Sequence, residues 1–250
     1  MRDNGDRPQS PMIRRLIAKT RSLHALPRFT GLLASTFALG IAFSFVAPFL
    51  SLWGLEEVGF TPTEFGLFMT ATSVCAIVAS SLLGRLSDTN FSRRQMLVLG
   101  SSGGVCGFVG YALIRDPILL VIVGCSLQAL ASICFAQLFS HVREVYQSQG
   151  APGNSSFTIS VVRVCFSFAW TLGPAAGSVM LVASGFRGLF LSAAGLYLVF
   201  LLGVLKFVPE RPRAARRHDQ PQDSVFKTLL QPRVLICFLS FTVIFAANAI

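Results

Sequence analysis

Charge is what this sequence has least of: 13% of its 250 residues are Asp, Glu, Lys or Arg, about half the share in an ordinary soluble domain. With 53% of residues hydrophobic and a mean hydropathy of +0.65, so little charge cannot cover a water-soluble globule. The surplus apolar residues must face something other than water. Acids are the scarcer sign, 11 against 21 Lys and Arg, for a formal net charge of +10. Histidine is nearly absent. His24, His141 and His218 lie in polar segments without a neighbouring acid–nucleophile set, which speaks against an enzyme and leaves no catalytic residue to assign. The six cysteines (Cys75, Cys106, Cys125, Cys134, Cys165, Cys237) fall in apolar blocks, and none stands at a CxxC or metal-ligand spacing. No disulfide, metal site or cofactor is expected, and the thiols read as small groups filling helix contacts.

What the chain does have is long apolar blocks. Crossing a hydrocarbon layer of ~30 Å takes about 20 residues at ~1.5 Å each. Six blocks qualify: Phe29–Trp53, Phe65–Leu83, Gln95–Ile114, Pro117–Phe139, Phe157–Ala183 and Gly188–Val208. A seventh starts near Val234 and continues to Ile250. Backbone groups in lipid need internal partners, so such blocks are helices or barrel strands. Pro117–Leu127 (PILLVIVGCSL) lacks the alternation of a barrel strand, so the blocks are helices. The expected class is an all-α membrane protein. Its organisation is a basic tail (1–28), a six-helix bundle (29–208), a Pro-rich charged linker (209–233) and the start of a seventh, truncated helix (234–250). The first block is longer than the core of a signal peptide and lacks a small-x-small cleavage site, so it reads as an uncleaved anchor.

The basic residues sort by side. The tail, the loops after the second and fourth spans, and the segment after the sixth hold 18 of the 21. The other side has Arg115 and Arg187 with four acids, and Arg163 lies inside a span. The positive-inside rule then puts the N-terminus and the linker in the cytoplasm. The +10 is a topology signal, so nucleic acid is not expected as a partner. The bilayer is.

Several patterns on this frame bear on function. Between the second and third spans runs Gly84-Arg-Leu-Ser87-Asp88-Thr-Asn-Phe-Ser-Arg93-Arg94. Its Asp can meet basic groups or a helix N-terminus. Glu144, after the fourth span, has the charge to pair with Arg93 or Arg94. In the fifth span Ser156, Ser160, Arg163, Ser167, Trp170, Pro174 and Ser178 recur at steps of three and four, on one helical face. Arg163 lies ~10 Å in from the span's cytoplasmic end. A guanidinium in hydrocarbon costs roughly 2.5 kcal/mol even on the lenient scale, so it either snorkels to the headgroups or faces a water-filled cavity; the deeper stripe favours the cavity. Trp170 suits stacking on a sugar face and plain packing equally. Gln128 and Ser132 share a face of the fourth span and suit either solute hydroxyls or interhelical bonds. Gln137, nearer the cytoplasmic end, is counted with the cavity. Pro48, with Ser44 and Gly40 one and two turns before it, marks a hinge in the first span. Gly173-Pro174-Ala-Ala-Gly177 combines close helix approach with a kink.

The Gly84–Arg94 string resembles the signature loop of the major facilitator superfamily, with Gly84, Ser87, Asp88, Arg93 and Arg94 matching. The resemblance implies a cytoplasmic gate at these residues. Gly173-Pro174-x-x-Gly177 resembles the fifth-span motif of exporters in that superfamily. The strings Ala47-Pro-Phe-Leu-Ser-Leu, Leu86-Ser-Asp…Arg93-Arg94, Gln137-Leu-Phe…Arg143-Glu144 and Val162-Arg163…Trp170…Gly173-Pro174 together look like the sugar efflux transporter family. What this implies is proton-coupled export of small sugars or glycosides, by the N-terminal half of a twelve-helix transporter in the bacterial cytoplasmic membrane. A second six-helix half would be its partner, and the substrate would lie between the halves. Where Gln or Asn is frequent in that family this sequence has Val46, Thr72, Ser132 and Cys165, a less polar cavity that also suits a multidrug exporter. None of the 11 acids lies inside a span, so coupling groups would sit in the other half, or transport is uniport. A truncated membrane protein without transport of its own is the remaining alternative.

Overall fold

The computed structural model describes residues 29–89, 92–147 and 154–208, with the backbone alone at 85–89, 144–147 and 154–156. The tail 1–28, the linker 209–233 and the segment 234–250 lie outside the described residues, as do the side chains of Ser87, Asp88, Glu144 and Ser156.

Regular structure among the described residues is helical throughout. Helix α1 spans Phe29–Glu57, α2 Pro62–Thr89 and α3 Arg93–Leu113. Helix α4 runs from Pro117–Val123 through Gly124–Gln128 and Ala129–Ala131 to Ile133–Gln147. The continuous stretch Asn154–Phe207 reverses at Gly185, whose φ of 65° and ψ of −171° belong to glycine alone. It therefore forms α5 (154–184) and α6 (186–207). Its apolar portion, Phe157–Phe207, has 51 residues, enough at ~1.5 Å each to cross a ~30 Å layer twice.

The helices outrun the apolar blocks, and four expected boundaries move. Helix α1 continues past Trp53 to Glu57 through a wide π-turn at Trp53–Glu57. Helix α2 passes Leu83 and keeps Gly84 and the backbone to Thr89 helical, where a loop was expected. Helix α4 passes Phe139, so His141 and Arg143 are helical residues and His141 is buried. The fifth and sixth spans meet at Gly185 with no loop between them. The physical reason is common to all four. Apolar composition marks where hydrocarbon ends, whereas a helix ends where its last backbone groups find other partners.

At the helix starts the partners are side-chain caps. Thr61 and Glu64 form a reciprocal box at the start of α2, with Thr61 N–H donating to Glu64 Oε2 at 2.8 Å and Glu64 N–H to Thr61 Oγ1 at 3.3 Å. Ser92 and Gln95 repeat it at α3, at 2.9 and 3.2 Å. Asp116 Oδ1 accepts from Leu119 N–H at 2.9 Å, with Pro117 in the first helical position of α4. Ser92→Ala is expected to cost about 1 kcal/mol, read as a lowered midpoint in a reversible unfolding titration, and Ser92→Asp to restore most of it.

Packing follows the small residues. Along α1, Gly40 and Ser44 face α5, where a Cβ on Gly40 would stand 2.8 Å from that of Ala169. Ser44 Oγ donates to its own helix at Gly40 O (3.0 Å) and lies 3.2 Å from Ala169 O of α5. Gly173 lies against Ser44, and Gly177 against the Phe45 carbonyl and Phe49 ring, so α1 and α5 touch backbone to backbone. Pro174, between these glycines, sits inside α5, and Pro48 falls in a 3-10 turn, Ala47–Phe49, that interrupts α1. At one end of the bundle Trp53 is fully buried against Tyr111 (5.1 Å between centroids) and Phe190 (4.9 Å). Just beyond, Arg115 Nε pairs with Glu57 Oε2 at 3.3 Å and its Nη1 caps the Tyr111 carbonyl at 3.0 Å, tying α1 to the α3–α4 turn.

Candidate functional site

A cavity of about 290 Å³ opens between α1, α2, α3, α4 and α6. Each helix contributes through a local feature of its sequence. The 3-10 turn at Pro48 carries Ala47 and Leu50 into the wall beside Val46. Helix α4 widens into a π-turn at Gly124–Gln128, and this irregular turn delivers Gln128 to the cavity. Gln128 crosses to it over Gly107 of α3, where a Cβ would come within 3.3 Å of its amide. In the lining, Phe108, Tyr111 and Tyr197 belong to one aromatic cluster with Trp53 and Phe190 behind them. Phe68 of α2 closes against Tyr111.

The polar groups are few and specific in kind. Thr72 Oγ1 donates to Phe68 O (2.8 Å), Ser73 Oγ to Met69 O (2.7 Å) and Ser132 Oγ to Ala129 O (2.7 Å). Their hydroxyl protons are thus spent on their own helices, and what they offer the cavity is acceptor lone pairs. Ser132 also meets Ser80 of α2 at 3.3 Å. The Gln128 side chain supplies both donors and acceptors, and among the described residues its amide makes no hydrogen bond. An aromatic, mostly apolar pocket with a few oriented polar groups is the usual build of a small-molecule site.

The residues singled out in the sequence divide among three places. Gln128 and Ser132 line this cavity together, as do Val46 and Thr72. Arg163 and Ser167 line a second cavity, between α4 and α5, of about 650 Å³. Trp170 lines neither: it is 45% exposed on α5, beside Phe166 at 6.1 Å. Gln137 is buried, and its Oε1 lies 3.4 Å from Arg93 Nη1, joining α4 to α3. Arg94 Nη2 donates to the Leu205 carbonyl of α6 at 2.9 Å. Arg93 and Arg94 are thereby both anchored at the start of α3, while Gly84 lies on α2, where an added Cβ would meet nothing within 4 Å. Cys165 sits elsewhere, its thiol 3.6 Å from Leu33 O of α1. Pro48, Gly173, Pro174 and Gly177 lie along the α1–α5 contact. Tyr111, Tyr197 and Ser73 were not anticipated; each is a cavity residue inside an apolar run, where only the packing of neighbouring helices distinguishes lining from core.

The sequence profile of the Major Facilitator Superfamily matches residues 32–250. A Deinococcus radiodurans protein described as a "Putative sugar efflux transporter" is 33% identical over 197 residues, 78% of this chain and 50% of that protein. Sugar efflux transporter A of Dickeya chrysanthemi is 29% identical over 240 residues, 94% of this chain and 59% of the relative. Sugar efflux transporter A of Escherichia coli is 31% identical over 177 residues, 71% of this chain and 45% of the relative. Multidrug resistance proteins MdtG match at 24% and 26% identity. The chain spans about half the length of the curated relatives it matches. Helices long enough to cross a bilayer, a cavity bounded by five of them and a profile match over most of the length point one way: this chain belongs to the Major Facilitator Superfamily.

Proposed function

We propose that this chain forms one six-helix half of a secondary transporter that exports small sugars or glycosides, with the cavity around Gln128 as its wall of the substrate site. The observation that carries the reading is the cavity's hydrogen-bonding sense. Hydroxyls whose protons are committed to backbone carbonyls present acceptors, and a polyol is a dense array of donors. The aromatic wall suits the apolar face of a sugar ring. Sugar efflux relatives at about 30% identity support the same substrate class. Transport proceeds by alternating access, this half rocking against a second one, with Gly84, Ser87, Asp88, Arg93, Arg94 and Glu144 as a gate on the cytoplasmic side. The location is a bacterial cytoplasmic membrane with the N-terminus inside, and export is coupled to protons.

Val46, Phe68, Met69 and the other apolar lining residues favour a second reading, export of amphipathic drugs. One experiment separates the two. Inverted vesicles containing the protein are given radiolabelled lactose or an alkyl glucoside, with and without an imposed pH gradient. Gradient-dependent accumulation is expected. Accumulation indifferent to the gradient would remove proton coupling, and drug accumulation without sugar would replace the substrate class.

A further inference from the structure

The cavity between α4 and α5 has a different chemistry from the one around Gln128. Arg143 near the end of α4 and Arg163 near the start of α5 line the same space, with Ser167 and the rings of Phe135, Phe139 and Phe166. The three rings form one aromatic surface, Phe135 standing 4.8 Å from Phe139 and 4.7 Å from Phe166 between centroids. Among the described residues neither guanidinium has a carboxylate within ion-pair distance. Two like charges facing one space repel, and apolar walls lower the local dielectric and strengthen that repulsion. A neutral sugar cannot relieve it. An anion between the two guanidiniums can, and a planar carboxylate or a phosphate matches the fork that each presents. The volume, about 650 Å³, is that of a site for a ring-bearing solute.

We propose that this groove is an anion subsite, taking the carboxylate or phosphate of an acidic glycoside whose aglycone ring lies on Phe135, Phe139 and Phe166. The proposal rests on the transport reading and deepens it, naming acidic glycosides as the substrate class. The acid group would dock between Arg143 and Arg163 before the sugar reaches the Gln128 cavity.

The test compares two probes with one aglycone, 4-nitrophenyl β-D-glucuronide and 4-nitrophenyl β-D-glucoside, binding to the protein in phosphatidylcholine nanodiscs. The glucuronide is expected to bind at least tenfold more tightly at low salt, and the preference to shrink in 0.5 M salt. Arg143→Gln with Arg163→Gln should abolish the preference, while Arg143→Lys with Arg163→Lys, which keeps the charge, should retain part of it. The lysine pair separates loss of charge from loss of fold. Equal affinities for the two probes, or a preference that survives both glutamines, would overturn the proposal. So would a preference lost when phosphatidylglycerol is added, since the groove would then hold a lipid headgroup. Counterflow of the neutral glucoside reads the transport proposal separately. Glucoside flux without glucuronide preference defeats the subsite alone, and tight glucuronide binding without flux of either probe defeats the transport reading alone.

Discussion

Gly173→Leu is expected to collapse the purified protein's melting temperature and with it any transport. A Cβ at 173 would already fall onto the Ser44 hydroxyl and stand 3.0 Å from the Ser44 carbonyl carbon. Neither neighbour can swing aside, because Ser44 Oγ is bound to the Gly40 carbonyl and α1 is held over a long contact with α5 and α6. Relief requires the two helices to separate. Overpacking of a tight contact costs typically 1–3 kcal/mol for a few methylenes, and here the obstruction includes the Ser44 Cβ at 2.7 Å and its backbone carbon as well as the hydroxyl, so the upper end or beyond is expected. The matched control is Gly66→Ala on α2, where an added Cβ meets nothing within 4 Å. That change should leave stability level or raise it by up to about 1 kcal/mol, the helix-propensity difference. Equal melting temperatures for the two variants would mean that the α1–α5 contact is not the tight one.

Gln128→Leu should weaken sugar binding by roughly tenfold to a hundredfold, with melting temperature held within a few degrees. The leucine keeps the volume over Gly107 and the apolar contact but removes the lining amide, which both donates and accepts. A site that hydrogen-bonds hydroxyls loses about 1–3 kcal/mol when a partner is left unmet. Gln128→Asn keeps the amide but draws it back by one methylene, and should fall between. Equilibrium binding of radiolabelled lactose decides it. Unchanged affinity in the leucine variant would move the substrate site elsewhere, whereas loss of folding would appear first in the melting curve.

The helices themselves were legible because lipid imposes a length: about 20 apolar residues make a span whatever their order, and six blocks of that kind stand out. Helix ends were less so, although the signals were present. Thr61-x-x-Glu64 and Ser92-x-x-Gln95 are capping boxes in plain sequence, and in the second case Ser92 is the cap itself. The fall in hydropathy after Phe139 suggests a loop at Arg143, yet backbone hydrogen bonding carries α4 on to Gln147.

The candidate site was legible face by face. Helical spacing puts Gln128 with Ser132, and Arg163 with Ser167, and each pair lines one space. Spacing cannot say which neighbour a face meets. That is why one stripe on α5 divides between the groove at Arg163 and the exposed surface at Trp170. It is also why Gln137 engages Arg93 on α3, 44 residues away in the chain. Those distinctions belong to the packing of one helix on another, which no single helix encodes.

The wide turn at Gly124–Gln128 has a consequence for how such a protein can change. A π-turn amounts to one residue inserted into an α-helix, and one residue is about 100° of rotation at 3.6 per turn. Everything in α4 after Gln128 is therefore rotated by that amount relative to Val123 and what precedes it. Removing a single codon inside the turn would swing Ser132 off the cavity wall while leaving the first half of the helix seated on α3. The same deletion would turn Cys134 away from Leu97 and Gln137 away from Arg93, so the cavity wall and the lower α3–α4 contact are set together by one inserted residue.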